Sequence, residues 1–130
     1  LTPGHTPGHG IFWQPDHWAI FGDTVFNAGI GNTKSGNTHV LYDTVQRLKG
    51  VLSDTVKVYT GHDYIETNLK FTLAQQPQHS VAQQLLEQVA QQTPETRLIS
   101  NWSLEKAINL FLNAPSREAF IELRALRDNW

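Results

Sequence analysis

Within its first ten residues the chain sets Pro3, Gly4, Pro7 and Gly8 around two histidines, His5 and His9, directly before the apolar run Ile11, Phe12, Trp13. Proline fixes φ and removes a backbone donor, while glycine opens angles closed to other residues, so this stretch folds as a stiff turn and not as a helix. A stiff turn presents its imidazoles at a strand edge with little loop entropy left to lose on ligand binding. That is what a metal site requires.

Two later stretches repeat the arrangement. Phe21-Gly22-Asp23-Thr24-Val25-Phe26 puts a carboxylate behind the apolar strand that starts near Trp18, and Tyr59-Thr60-Gly61-His62-Asp63-Tyr64 puts an imidazole behind the strand Val56 to Tyr59. In layered α/β folds, sites are built where strand ends meet solvent.

Composition removes most competing chemistries. With no cysteine there are no disulfides, thiolate zinc sites or cysteine nucleophiles, which leaves imidazole, carboxylate and water as ligands. No Gly-x-Ser-x-Gly elbow occurs, and the glycine-rich loop lacks the Lys-Ser/Thr ending of a phosphate cradle. A net charge of -2 with mixed signs speaks against nucleic acid or an anionic membrane as partner, and no apolar run is long enough to span a bilayer. A cytoplasmic setting is the default expectation. The chain has no methionine and opens on Leu1 in mid-turn, so the expectation is that Leu1 is not the natural start.

Patterning divides the chain near Tyr64. Before it, His9 to Gln14 and His17 to Phe21 read as an antiparallel hairpin turning at Pro15-Asp16, and Asn27 to Asn37 as a Gly/Asn-rich loop. Thr38 reads as the cap of a helix whose face is Leu41, Val45, Leu48 and Leu52, stopped near Gly50. After Tyr64 every pattern is helical: Glu66 to Gln75, Ser80 to Gln92, Ser103 to Asn113 and Ser116 to Asn129, the first three ending near prolines. In the last helix Phe120, Leu123 and Leu126 or Arg127 share a face. Trp13, Trp18, Trp102 and Trp130 are expected in packing, and His39 and His79 in solvent.

Taken in order, the strings Thr2-Pro3-Gly4-His5-Thr6-Pro7-Gly8-His9, Phe21 to Phe26, and Tyr59 to Tyr64 followed by Asn68-Leu69-Lys70-Phe71 resemble the metallo-β-lactamase superfamily, in its glyoxalase II (hydroxyacylglutathione hydrolase) branch. Ser103 to Leu112 and Phe120 to Trp130 also resemble that branch's helical C-terminus. The resemblance implies an α+β fold: residues 1–64 as the C-terminal half of an αββα sandwich, with short antiparallel strands plus a helix, and residues 65–130 as a helical, glutathione-binding-type cap. It implies a hydrolase that cleaves a thioester such as an S-acylglutathione with a hydroxide shared between two divalent metal ions, zinc first, with iron or manganese as alternatives. His5 would bind one metal, His62 the other, and Asp23 would bridge them as the catalytic carboxylate. His9 would orient its neighbours or pack locally, and Asp63 would have a surface or capping role.

Tyr64, Arg124, Arg127 and Lys34 would face the glutathione part of the substrate. Lys34 stands in, displaced along the loop, for a basic residue that the branch places just after the glycine equivalent to Gly31. The cap's usual Asn-Pro-Phe-Leu-Arg is Asn109-Leu110-Phe111-Leu112-Asn113 here. The branch's His-x-His-x-Asp-His block has no counterpart in the chain, so a missing N-terminal half or a second copy is the expected partner. It would cover an apolar sheet face carrying Phe12 or Trp18. Two other readings stand beside this one: an iron-dependent persulfide dioxygenase-like enzyme, suggested by Asp63 where the branch commonly has Glu, and a non-catalytic fragment or binding module keeping relic ligands.

Overall fold

A computed structural model describes all of Leu1–Trp130. The chain is α+β. The Pro/Gly turn leads into strands β1 (Phe12–Gln14) and β2 (Trp18–Ile20), which pair antiparallel with Phe12 opposite Ile20. The turn between them closes through His17 N–H donating to the Gln14 carbonyl at 3.1 Å, with Asp16 at φ 62° behind Pro15. That is the type II geometry that proline in second position favours. Both strands are shorter than the stretches expected for them, His9 to Gln14 and His17 to Phe21.

The stretch behind Asp23 departs from the sequence expectation. Strands β3 (Val25–Phe26) and β4 (Gly29–Ile30) form a separate two-stranded sheet, where Asn27 to Asn37 had read as loop throughout. Ala28, at φ 60°, makes the tight turn between them. A strand of two residues has no periodicity to show, and its glycine carries no strand propensity.

Helix α1 (Thr38–Val51) is capped by Asn37, whose side chain accepts from Val40 N–H, one residue before the predicted cap. Gly50 lies inside it. The helix buries Leu41, Val45 and Leu48 and returns the chain to β5 (Lys57–Tyr59), which pairs parallel with β2. Helices α2 (Ile65–Gln75) and α3 (Ser80–Ala90) follow, then a 3₁₀ turn at Pro94–Thr96 and β6 (Ser100–Asn101), which completes the four-stranded sheet in the order β1-β2-β5-β6.

Helix α4 (Trp102–Ile108) stops well short of the predicted Asn113, and α5 (Arg117–Asp128) ends the chain. His79 is not simply solvated. Its Nδ1 caps α3 by accepting from Ala82 N–H, and its Nε2 donates to the Ala107 carbonyl at 2.8 Å.

The larger apolar cluster joins β2, α1 and β5 to Phe71, Trp102, Phe111 and Phe120, so it draws on residues from both sides of Tyr64. Of the four tryptophans only Trp102 is fully buried, stacked on Phe21 at 5.7 Å; Trp13 and Trp130 are exposed. In α5 the buried face is Phe120 and Arg124, whereas Leu126 is exposed. One face of the sheet has no cover: register sets Phe12, Ile20 and Tyr59 side by side across three strands, with Phe12 75% exposed. Trp18 is half-buried on that same face.

Candidate metal centre and substrate cavity

The opening turn is pinned to the start of α1. Gly4 sits at φ 139°, where a Cβ would lie 2.4 Å from the Leu41 Cα, so only glycine fits the approach. Asn37 N–H donates to the Gly4 carbonyl at 2.9 Å, and the Thr44 hydroxyl donates to the Pro3 carbonyl at 2.6 Å. The turn is thereby fixed against the core, and His5 with it.

Asp23 follows Gly22, itself at φ 54°, and its backbone N–H donates to His9 Nε2 at 3.1 Å. His9 therefore orients the segment that carries the carboxylate. Across the sheet end, Gly61 N–H donates to the Gly22 carbonyl at 2.8 Å, which draws the loop after β5 alongside. His62 comes with it.

The three side chains singled out in sequence meet. His62 Nδ1 lies 2.9 Å from Asp23 Oδ1, and His5 Nε2 lies 3.5 Å from Asp23 Oδ2. Each imidazole thus takes its own carboxylate oxygen. His5 Nδ1 lies 2.7 Å from the Asn32 carbonyl, which can only accept, so Nδ1 carries a proton and Nε2 is the nitrogen turned toward Asp23. A ligating histidine is held by an outer partner of this kind. The His62 ring stacks on Tyr64, 5.1 Å between centroids and 8° from parallel.

By donor chemistry the residues fit one edge of a two-metal centre in which a carboxylate spans both ions. By number they fall short, since no three acidic or imidazole groups of this chain enclose one cation.

Beside these groups lies a cavity of about 200 Å³ lined by Lys34, Tyr64, Asn68, Arg124, Arg127 and Asp128 among others. All four residues expected to face substrate therefore share one wall system. They are not equivalent. Arg124 is buried, with Nη1 donating to the carbonyls of Ile30 (2.8 Å) and Gly31 (3.2 Å) and Nη2 donating to Asp128 at 3.0 Å. Burial lowers its pKa, and the neighbouring Asp128 carboxylate opposes that shift. Arg127 makes one longer contact, to Asn68 Oδ1 at 3.3 Å.

Asp63 turns away to pair with Arg97 at 3.1 Å, the surface role expected of it. Sequence reading missed Glu105, which is fully buried and accepts from Ala28 N–H (2.8 Å), the Ser100 hydroxyl (2.7 Å) and Asn27 Nδ2 (3.1 Å). Burial pushes its carboxyl above the usual range despite these donors. A glutamate in a helix's first turn gave no sign of this.

Residues 63–130 match the family model described as hydroxyacylglutathione hydrolase C-terminus. Curated relatives named hydroxyacylglutathione hydrolase include one from Nitrosococcus oceani, 37% identical, and one from a Polaromonas species, 38% identical; each alignment covers 99% of this chain and 58% of the relative. The chain thus spans a little over half the length of these relatives. The crystal structure of ETHE1 from Myxococcus xanthus, which has the metallo-β-lactamase fold, superposes with a TM-score of 0.63 at 27% identity, covering 95% of this chain and 42% of that one. With more than half of its residues matched by the family model, and with relatives of that name aligned along nearly its whole length, the chain belongs to the hydroxyacylglutathione hydrolase C-terminus family.

Proposed function

We propose that this chain serves a metal-dependent thioester hydrolase acting on S-acylglutathione, in which His5, Asp23 and His62 are metal ligands and Lys34, Tyr64 and Arg127 receive the glutathione part, in a cavity walled also by Arg124. The observation that carries the proposal is the Asp23 carboxylate divided between two imidazoles, one on each oxygen. A carboxylate in that position can serve two ions, His5 from one side and His62 from the other. The relatives' name supports the substrate class.

Paired divalent cations, of which zinc suits imidazole and carboxylate donors, would supply Lewis acidity toward water and the thioester carbonyl. The chain's own residues do the rest. The Asn32 carbonyl directs the His5 ring, and His9 holds the Asp23 backbone in register. Tyr64 supports the His62 ring and lines the cavity. Lys34 and Arg127 place cations where the thiol carrier's carboxylates would enter; Arg127's planar fork suits two-point contact.

In this reading residues 1–64 carry the ligands and residues 65–130 the substrate cap. The remaining ligands and a cover for the Phe12, Ile20 and Tyr59 face come from a segment of the kind that makes up the rest of the relatives' length, or from a second copy. No helix is long and apolar enough to cross a membrane, and a cytoplasmic setting belongs to the proposal.

The test is release of free thiol from a hydroxyacyl thioester of glutathione by the full-length protein, with metal content measured in parallel. Two equivalents of zinc-like metal and chelator-sensitive thiol release are expected. One equivalent of iron with oxygen uptake on glutathione persulfide would establish the dioxygenase reading instead. No turnover with any divalent metal would leave the chain a binding module.

A further inference from the structure

Helix α2 carries Asn68 and Phe71 three residues apart, so the two side chains share a face. Both are buried, and both serve Arg127 of α5. Asn68 Nδ2 donates to the Asn27 carbonyl at 3.1 Å. That oxygen can only accept, so the amide is fixed with Oδ1 turned to Arg127 Nε, which donates to it at 3.3 Å. The amide is packed against the β4 backbone as well, for a Cβ on Gly29 would stand 2.6 Å from Nδ2.

Phe71 acts at one remove. Past the end of α5, Trp130 N–H donates to the Arg127 carbonyl at 3.2 Å and folds the chain back. The indole then meets Phe71 edge-on, 5.5 Å between centroids, and presents its face to the Arg127 guanidinium, whose Cζ lies 5.9 Å from the ring centroid. A cation at that distance is drawn to the face of an indole. This gives a use to an aromatic side chain that otherwise stands exposed at the surface.

The hydrogen bond of Arg127 within the chain runs through Nε, which leaves the Nη1–Nη2 edge for a ligand. Asp128, the acid in the same cavity wall, is paired with Arg124 at 3.0 Å and does not take that edge. An unrestrained arginine loses rotamer freedom when it binds; one held in place beforehand has less to lose.

We propose that Asn68 and Trp130 are positioning residues for Arg127, holding its guanidinium with the Nη1–Nη2 edge open to the cavity for end-on contact with a carboxylate of the thiol carrier. The inference rests on the reading of Arg127 as a contact to glutathione. It makes α2 and the last residue described here determinants of carrier affinity, apart from the metal ligands.

The experiment compares Asn68→Ala, Trp130→Leu and Trp130→Phe, each alone and combined with Arg127→Ala, in the full-length protein. KM and kcat are measured with two thioesters of one acyl group, on glutathione and on N-acetylcysteamine, which has no carboxylate, and the Kd of glutathione is measured by calorimetry. Asn68→Ala should raise KM for the glutathione thioester and the Kd of glutathione about fivefold, the worth of one hydrogen bond. Trp130→Leu, which keeps an apolar contact to Phe71 without an aromatic face, should raise both about threefold. Trp130→Phe should recover most of that loss. None of the three should raise KM for the N-acetylcysteamine thioester, and none should add to the effect of Arg127→Ala. An unchanged KM for the glutathione thioester, an equal rise on both thioesters, or losses that multiply with that of Arg127→Ala would overturn the inference. If Asn68→Ala does not fold, Trp130→Leu, at an exposed position, decides by the same readouts. A parent that binds glutathione but releases no thiol refutes the thioesterase reading, while calorimetry still tests Asn68 and Trp130; a parent that does neither overturns both.

Discussion

Gly31→Ala is the sharpest probe of the strap of backbone that runs from the β3–β4 hairpin to Asn32, whose carbonyl lies 2.7 Å from His5 Nδ1. A Cβ at this position would stand 2.0 Å from the Asp23 carbonyl oxygen and 3.1 Å from His5 Nδ1. Carbon and a carbonyl oxygen ordinarily approach to about 3.3 Å, so the strap or the Asp23 backbone must retreat by about 1.3 Å. Neither is free to do so, because Gly31 N–H donates to the Thr24 carbonyl at 3.2 Å and the Gly31 carbonyl is held by Arg124. Overpacking of this kind costs about 1–3 kcal/mol. The proposed metal ligands should suffer more than the fold: a misplacement near 1 Å at a reacting centre costs about 100-fold in rate. In the full-length protein, urea unfolding should show the moderate loss, while zinc affinity and thioester turnover fall steeply. Turnover within twofold of the parent, in a protein unfolding at the same urea concentration, would refute the view that the strap sets the ligand geometry.

Two further outcomes follow from glycine and glutamate positions. Gly50 lies in α1 with open space where a Cβ would go, so Gly50→Ala should stabilise the protein by about 0.5–1 kcal/mol, seen as a higher urea midpoint with unchanged turnover. Burial raises the Glu105 pKa, so the fold favours the protonated form. Its stabilising contribution is complete below the ordinary glutamate pKa and is lost as pH climbs through the raised value. Glu105→Gln should therefore flatten stability against pH over that interval; urea midpoints from pH 4 to 8 running parallel in both proteins would exclude it.

Much of the fold is written locally. The β1–β2 hairpin follows from Pro15-Asp16 between apolar runs, α1 from Leu41, Val45 and Leu48 at helical spacing, and the meeting of His5, Asp23 and His62 was expected from motifs placed behind strands. What local pattern could not carry is everything decided by distant partners. Gly29–Ile30 is a strand because Asn109 and Arg124 hold it, and no period in Asn27 to Asn37 announces that. Helix α4 stops at Ile108 because Asn109 takes an extended backbone and sends its side chain inward, although the helical pattern continues. Arg124 reads as a cation for a substrate; only its neighbours in the fold show that three of its N–H groups go to Ile30, Gly31 and Asp128. Glu105, which no sequence motif marks, is fully buried.

The contacts that secure the β3–β4 hairpin join residues far apart in the chain, Asn27 to Asn68, Ala28 to Glu105 and Ile30 to Arg124. Closing such long loops is slow, and two residues per strand give the hairpin nothing to stand on beforehand. During refolding, helices should therefore appear early while the meeting of His5, Asp23 and His62 arrives late, once the carboxyl-terminal turns have docked. A ribosome releasing this polypeptide would deliver His5, Asp23 and His62 first and the residues that hold their surroundings last.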